Sequence, residues 1–184
     1  MSHHVGSRVV VASLAAALAA CSNGGGDKPG RSSSDPAAPG PMMTMGSGSS
    51  STALGRATFA DPDNQTFDIK RITGDWQMQI KSKPAFDIAV QSIVFQPGAQ
   101  SGWHSHPGPV FIEVVSGTMT FYESDDPTCT PIVKKAGEGY LDAGVHPHIA
   151  RNETLLPATN VVTYFAPPGA ALKIDAPNPG NCPF

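Results

Sequence analysis

Hydrophobic and polar positions alternate along the second half of the chain. Phe86, Ile88 and Val90 alternate with Asp87, Ala89 and Gln91, and Ile93-Val94-Phe95 follows, stopping at Pro97-Gly98. A period of two places successive side chains on opposite faces of a strand, so these runs predict half-buried β-strands. Val110 to Val115 reads as the next strand, and Ser116-Gly117 turns the chain into Thr118 to Tyr122. Asp125-Asp126-Pro127 has the residues of a loop. Ile132-Val133, Tyr140-Leu141, His148-Ile149-Ala150 and Val161 to Phe165 complete the set. No stretch shows helical periodicity, and there is no repeat of the solenoid kind. Many short strands separated by turn residues predict a sandwich or a closed barrel.

Upstream the pattern changes twice. Val9 to Ala20 is an apolar run of twelve residues preceded by Arg8. It matches the hydrophobic region of a signal peptide and falls short of the roughly 20 residues of a membrane-spanning helix. The run ends in Leu18-Ala19-Ala20-Cys21, which resembles the lipobox of bacterial lipoproteins. That resemblance implies cleavage before Cys21, a diacylglycerol on its thiol and a further acyl chain such as palmitate on the freed amine. Each buried methylene of such an anchor contributes about 0.8 kcal/mol. An ordinary secretory signal with an incidental cysteine is the alternative. His3 and His4 lie in the segment to be removed. From Ser22 to about Thr52 the chain is GGG, SSS, Ala/Pro and GSGSSS, a solvated tether with nothing to bury. Met42, Met43 and Met45 within it are either a soft copper(I) site or incidental. The expected organisation is a signal peptide over 1–20, a disordered tether over 21–55 and one folded domain over 56–184. The expected location is the extracytoplasmic face of a bacterial cell-envelope membrane.

Composition narrows the function classes. A formal net charge of −3 with 15% charged residues lacks the basic face of a nucleic-acid binder. The 19 glycines and 18 prolines exclude a helical bundle. Apart from Cys21, Cys129 and Cys182 remain, an even pair in an oxidising compartment. A bridge between them closes a loop of about 53 residues and pins the C-terminal tail; two free thiols are the alternative. There is no Gly-x-Ser-x-Gly elbow, phosphate-cradling loop or Cys-x-x-Cys, and no catalytic residue is assigned.

Chemistry concentrates in His104, His106, His146 and His148, two His-x-His pairs. Residues i and i+2 of a strand share a face, so His104 and His106 project together while Trp103 and Ser105 face the other way. A third imidazole from a neighbouring strand completes a facial set for a metal ion, with positions left open for water or substrate.

The spacing of these residues resembles the cupin superfamily. Its first motif is Gly, five residues, His-x-His, three or four residues, Glu, six residues, Gly. Here Gly98 precedes AQSGW, His104-Ser105-His106 follows, and Gly117 closes the motif, but Val110 stands in place of the glutamate. In the second motif Gly137, His148 and Asn152 are in register, with Ala143 and Val145 at the usual Pro and Gly positions. The resemblance covers residues 85 to 166. It implies an all-β, cupin-type antiparallel β-barrel (a double-stranded β-helix, or jelly roll). It also implies a divalent transition metal (iron, manganese, zinc, nickel or copper) on His104, His106 and His148, with His146 a secondary candidate. Glu113, at an odd offset from position 110, belongs on the solvent face. Val110, Ile112 and Phe121 are expected to line the barrel. Asn152 is expected to be structural, and a homodimer is expected from the resemblance alone. Three functions remain open: non-catalytic binding of a metal or small molecule, a metal-dependent dioxygenase or related oxidoreductase, and a stripped cupin with only a structural role.

Overall fold

The computed structural model describes residues 46–60, 66–70, 77–81 and 85–184. The signal region, Cys21 and the Met42 to Met45 cluster lie outside the described residues. In chain order the strands are β1 (Ser47–Phe59), β2 (Thr66–Lys70), β3 (Gln77–Lys81), β4 (Phe86–Gln100), β5 (His104–Ser105) and β6 (Val110–Ser116). They continue with β7 (Thr118–Glu123), β8 (Ile132–Lys135), β9 (Gly139–Asp142), β10 (His148–Arg151), β11 (Ala158–Ala166) and β12 (Ile174–Asp175). No helix occurs among the described residues, and so none is long and apolar enough to cross a membrane.

Strand β4 is the spine. It pairs antiparallel with β1 along one edge and β11 along the other, and β11 continues to β6 and β9. At its far end Gln100 pairs with Arg151 of β10, which joins β5 and β7. The ten strands curl into a nearly closed antiparallel barrel, and β2 and β3 form a separate two-stranded sheet. The expected all-β barrel is therefore what the chain builds. Alternation sends Val110, Ile112 and Val114 of β6, Met119 and Phe121 of β7, and Val162 and Tyr164 of β11 into the core. Each such apolar side chain contributes about 1.5–3 kcal/mol by leaving water. Glu113 is exposed, on the solvent face as expected.

Three features of the spine differ from the sequence pattern. Strand β1 starts at Ser47, inside the stretch expected to be tether, because a ladder is built from main-chain groups and does not require apolar side chains. Strand β4 runs past Pro97-Gly98 to Gln100. Gly98, with φ +75°, donates its N–H to Asn152 O at 2.9 Å, so the proline only marks where β4 changes partner. The third concerns which face is buried. Asp87 and Ala89 are the covered residues, each 2% exposed, while Phe86, Ile88 and Val90 are only half-buried. Asp87 accepts from Arg56 Nε and Thr58 Oγ1 at 2.6 Å and from Gly169 N at 2.9 Å. The hydrogen bonds from Thr58 and Gly169, together with the Arg56 guanidinium, outweigh burial and hold its carboxyl down to about 2. Phe86 instead joins a row of ring contacts, Phe59–Phe86–Phe165–Phe111, that crosses four strands on the other face.

Asn152 fastens β10 to β4. Its Nδ2 donates to Phe95 O at 3.0 Å and Leu156 O at 2.8 Å, and its Oδ1 accepts Thr154 N at 3.0 Å. An Asn152→Ala substitution removes the donor to the Phe95, Gln96 and Leu156 carbonyls and the acceptor of the Thr154 N–H. We expect a loss of about 3 kcal/mol, read as a lower urea midpoint. An unchanged midpoint would show that water takes over these bonds without cost.

A second, smaller core lies under the C-terminal segment. Trp103, fully buried, packs with Tyr122, Ile149, Ala176 and Cys182. Cys129 and Cys182 are bridged, with Cα atoms 5.2 Å apart. Strand β12 pairs with β5, Ala176 N donates to Trp103 O at 2.9 Å, and Asn181 Nδ2 donates to Glu123 O and Asp126 O. The tail is thus strapped across the outside of the strand that carries His104.

Candidate metal centre

Register brings the histidines together. His104 of β5 lies directly opposite His148 of β10, and such cross-strand partners project to the same face. His106 lies two residues beyond His104 and completes the triangle. Ring centroids are separated by 4.8 Å (His104–His106), 4.5 Å (His104–His148) and 5.2 Å (His106–His148). The three rings present ligand atoms within 4.8 Å of one another. All three are buried, at 6%, 5% and 1% exposure respectively.

Two of the tautomers follow from the main chain. His104 Nδ1 lies 2.8 Å from Gly102 O and His106 Nδ1 lies 2.6 Å from Leu172 O. A carbonyl oxygen only accepts, so each Nδ1 carries the proton and each Nε2 keeps a free lone pair. Burial, then the neighbouring imidazoles, pushes the His104 pKa down to about 2. His106 is lowered chiefly by burial, with the Leu172 carbonyl opposing. Neutral imidazoles with fixed lone pairs are the protonation state that metal binding requires.

A carboxylate stands beside them. Asp142, the last residue of β9, is 5% exposed. Its Oδ1 accepts Gly144 N at 2.8 Å, which fixes the carboxylate plane. Gly144 has φ +76°, and a Cβ there would meet Gly108 O at 2.6 Å, so this turn requires glycine. Oδ2 lies 3.4 Å from His148 Nδ1 and 3.8 Å from His106 Nε2. Neither Oδ2 nor His148 Nδ1 makes a well-formed hydrogen bond. Burial pushes the Asp142 carboxyl up, but His148, the Gly144 N–H and His106 together bring it below its ordinary value.

Two tyrosines border the rings. Tyr164 lies 5.5 Å from His106 and Tyr140 lies 5.8 Å from His148, centroid to centroid. Tyr140 stacks on Phe121 and donates its hydroxyl to Glu123; burial first, then Glu123, raises its pKa. Burial alone raises Tyr164 to about 12, so both hydroxyls keep their protons at neutral pH.

Residues 91–164 match the model of the cupin domain family. Over this stretch the chain carries a cupin domain. Among solved structures the chain is similar to an uncharacterized conserved protein with a double-stranded β-helix domain from Klebsiella pneumoniae. The two are 22% identical, the match covers 48% of this chain and 75% of that one, and the TM-score is 0.41. It is also similar to a DMSP lyase from Ruegeria pomeroyi (17% identity, 47% of this chain and 42% of that one, TM-score 0.41). A polyketide cyclase from Streptomyces resistomycificus matches at 13% identity over 74% of this chain and 79% of that one, with a TM-score of 0.47. No curated protein matches the sequence.

Within this domain the structure joins His104, His106 and His148 and leaves His146 out. The His146 side chain is 54% exposed and faces Asp125 Oδ2 at 3.6 Å. It does not share the face of His148 because β10 begins only at His148, after Pro147, so the i, i+2 rule does not reach back to it. Val110 and Ile112 line the interior as expected, with Phe121 behind Tyr140. The Asp125-Asp126 segment is a turn in which Asp126 accepts from Thr128 N at 2.9 Å and Thr130 N at 2.7 Å. Sequence reasoning missed Asp142, although a signal was present. In Gly139-Tyr140-Leu141-Asp142 the period of two puts Asp142 on the same inward face as Tyr140.

Proposed function

We propose that this protein is a cell-envelope cupin that holds a divalent transition-metal ion on His104, His106 and His148 and uses it to bind a small molecule without transforming it. The observation that carries the reading is the convergence of three buried imidazoles, two with tautomers fixed by main-chain carbonyls. The site fits a cation on independent grounds. Asp142 Oδ2 and His148 Nδ1 are buried polar atoms without hydrogen-bond partners, and an electron-poor ion would satisfy both. Bound there, the ion would act as a Lewis acid for an oxygen-donor ligand. Val110 and Ile112 would keep water from the ligand. The lipobox at Cys21 and the Cys129–Cys182 bridge support an oxidising, lipid-anchored setting. Phe59, Phe111 and Leu141, all exposed, support pairing of two copies through the sheet.

The test is metal content by mass spectrometry on the untagged chain beside His106→Ala. We expect near one equivalent of iron, manganese, zinc, nickel or copper in the parent and at least a tenfold loss in the variant. A protein that carries none and takes up none from solution would overturn the proposal.

A dioxygenase or related oxidoreductase is the second reading. It is favoured by the hydrogen-bonded Tyr140–Glu123 pair beside His148, a part-buried proton-holding couple that simple binding does not need. Iron-dependent aerobic turnover would select it.

A further inference from the structure

The carboxylate missing from β6 has a replacement on the neighbouring strand. Val110 occupies the position at which the cupin motif carries glutamate, and its register partner on β9 is Asp142. Partners in an antiparallel ladder project from the same face with Cβ atoms about 4.5–5.5 Å apart. A carboxylate lost from one can therefore be supplied by the other, on a shorter side chain and from the adjacent strand. We infer that Asp142 is the fourth protein ligand of the metal centre, binding through Oδ2; the inference rests on the three-histidine reading proposed above.

Four observations carry it. Asp142 is 5% exposed, yet its Oδ2 has no hydrogen-bond partner. The Gly144 N–H occupies Oδ1, and so Oδ2 is the oxygen turned toward the rings. His106 Nδ1 spends its proton on Leu172 O, which leaves Nε2 with a lone pair facing Oδ2 at 3.8 Å. Two electron-pair donors confined at that distance repel each other unless a cation lies between them. Finally, Oδ2 lies 3.8 Å from His106 Nε2 and 3.4 Å from His148 Nδ1, closer than the 4.8 Å within which the three histidines present their own ligand atoms.

The competing role is a positioning one, in which Asp142 only accepts a proton from His148 Nδ1 and orients that ring. It accounts for the 3.4 Å approach but not for the lone pair of His106 at 3.8 Å. The two roles differ in their consequences. A ligand carboxylate lowers the charge of a divalent centre from +2 to +1 and adds a hard oxygen donor. That favours zinc, iron(II) or manganese(II) over copper(I).

The test is a cobalt(II) titration of the full chain and of Asp142→Asn, read by visible absorption. The amide retains the Oδ1 bond to Gly144 and can donate to the ring nitrogens of the metal-free protein, so the fold has no reason to fail. We expect cobalt affinity to fall at least a hundredfold and the d–d bands to change position and intensity. An affinity loss within the 10–100-fold range of an outer hydrogen-bond partner, with unchanged bands, would overturn the assignment and make Asp142 a positioning residue. Should the variant not fold, the zinc-loaded parent decides by crystallography. Oδ2 within about 2.2 Å of the ion supports the assignment, and a separation beyond about 3 Å overturns it. A parent chain that binds no cobalt overturns the three-histidine reading itself, whereas binding with identical bands in Asp142→Asn removes only the role of Asp142.

Discussion

Between pH 7 and pH 5 the metal-free protein is expected to lose at least about 2 kcal/mol of stability, a sizeable part of the usual total for a domain. The cause is the pair His104 and His106, both of which burial holds below the ordinary histidine range in the native state, His104 down to about 2. In the unfolded chain both titrate near 6.5. Below that value the unfolded state binds more protons than the native state, so stability falls with pH at up to about 1.4 kcal/mol per unit for each ring. Above 6.5 both states are neutral at these positions, and the pair leaves stability insensitive to pH. Asp87 adds a later loss below its ordinary value of 3.8, complete only as its native carboxyl protonates near 2. Urea unfolding at pH 7, 6 and 5 measures the slope, and a His104→Gln/His106→Gln variant should flatten it. A parent chain with the same stability at pH 7 and pH 5 would show that these rings are already solvated or protonated in the native state.

Reducing the Cys129–Cys182 bridge is expected to cost about 4 kcal/mol, from the entropy returned to an unfolded chain no longer closed over 53 residues. The effect should fall first on the C-terminal segment. That segment covers Trp103, pairs β12 with β5, and supplies the Leu172 carbonyl that fixes the His106 tautomer. Reduction should therefore expose Trp103 to quenchers and weaken metal binding about tenfold or more, the scale seen for lost outer hydrogen bonds to a ligand histidine. The comparison is the oxidised chain against the same chain under reductant, with Cys129→Ser/Cys182→Ser as the permanent form. Equal denaturation midpoints in all three would mean that β12 and the Asn181 contacts alone hold the strap.

Most of the barrel was legible because its strands alternate on one side of a core. β6 and β11 carry their buried residues at every second position, and the structure keeps them there, whereas β7 buries both of its faces from Met119 to Tyr122. Strand β1 was not legible. Its Ser/Gly composition says nothing about pairing, and all thirteen of its residues stay exposed while their main chain completes the edge of β4. The buried face of β4 was ambiguous for a related reason. Phe86, Ile88 and Val90 are the more apolar set, but Asp87 takes the covered side because Arg56, Thr58 and Gly169, distant in sequence, satisfy it there.

His104, His106 and His148 were set by sequence spacing, since His-x-His on a strand and the offset to the second motif leave little freedom. Excluding His146 required the structure, which starts β10 after Pro147. Including Asp142 required register, because strand pairing, invisible in a single sequence, puts it opposite Val110. By itself the sequence determined which residue types recur with a strand's period and which imidazoles share a face, because both follow from local backbone geometry. Only the tertiary structure decided which carboxylate meets those imidazoles and which carbonyls fix their tautomers. Those contacts join β9 to β6, and Leu172 to His106 across 66 residues, and no local pattern encodes such distances.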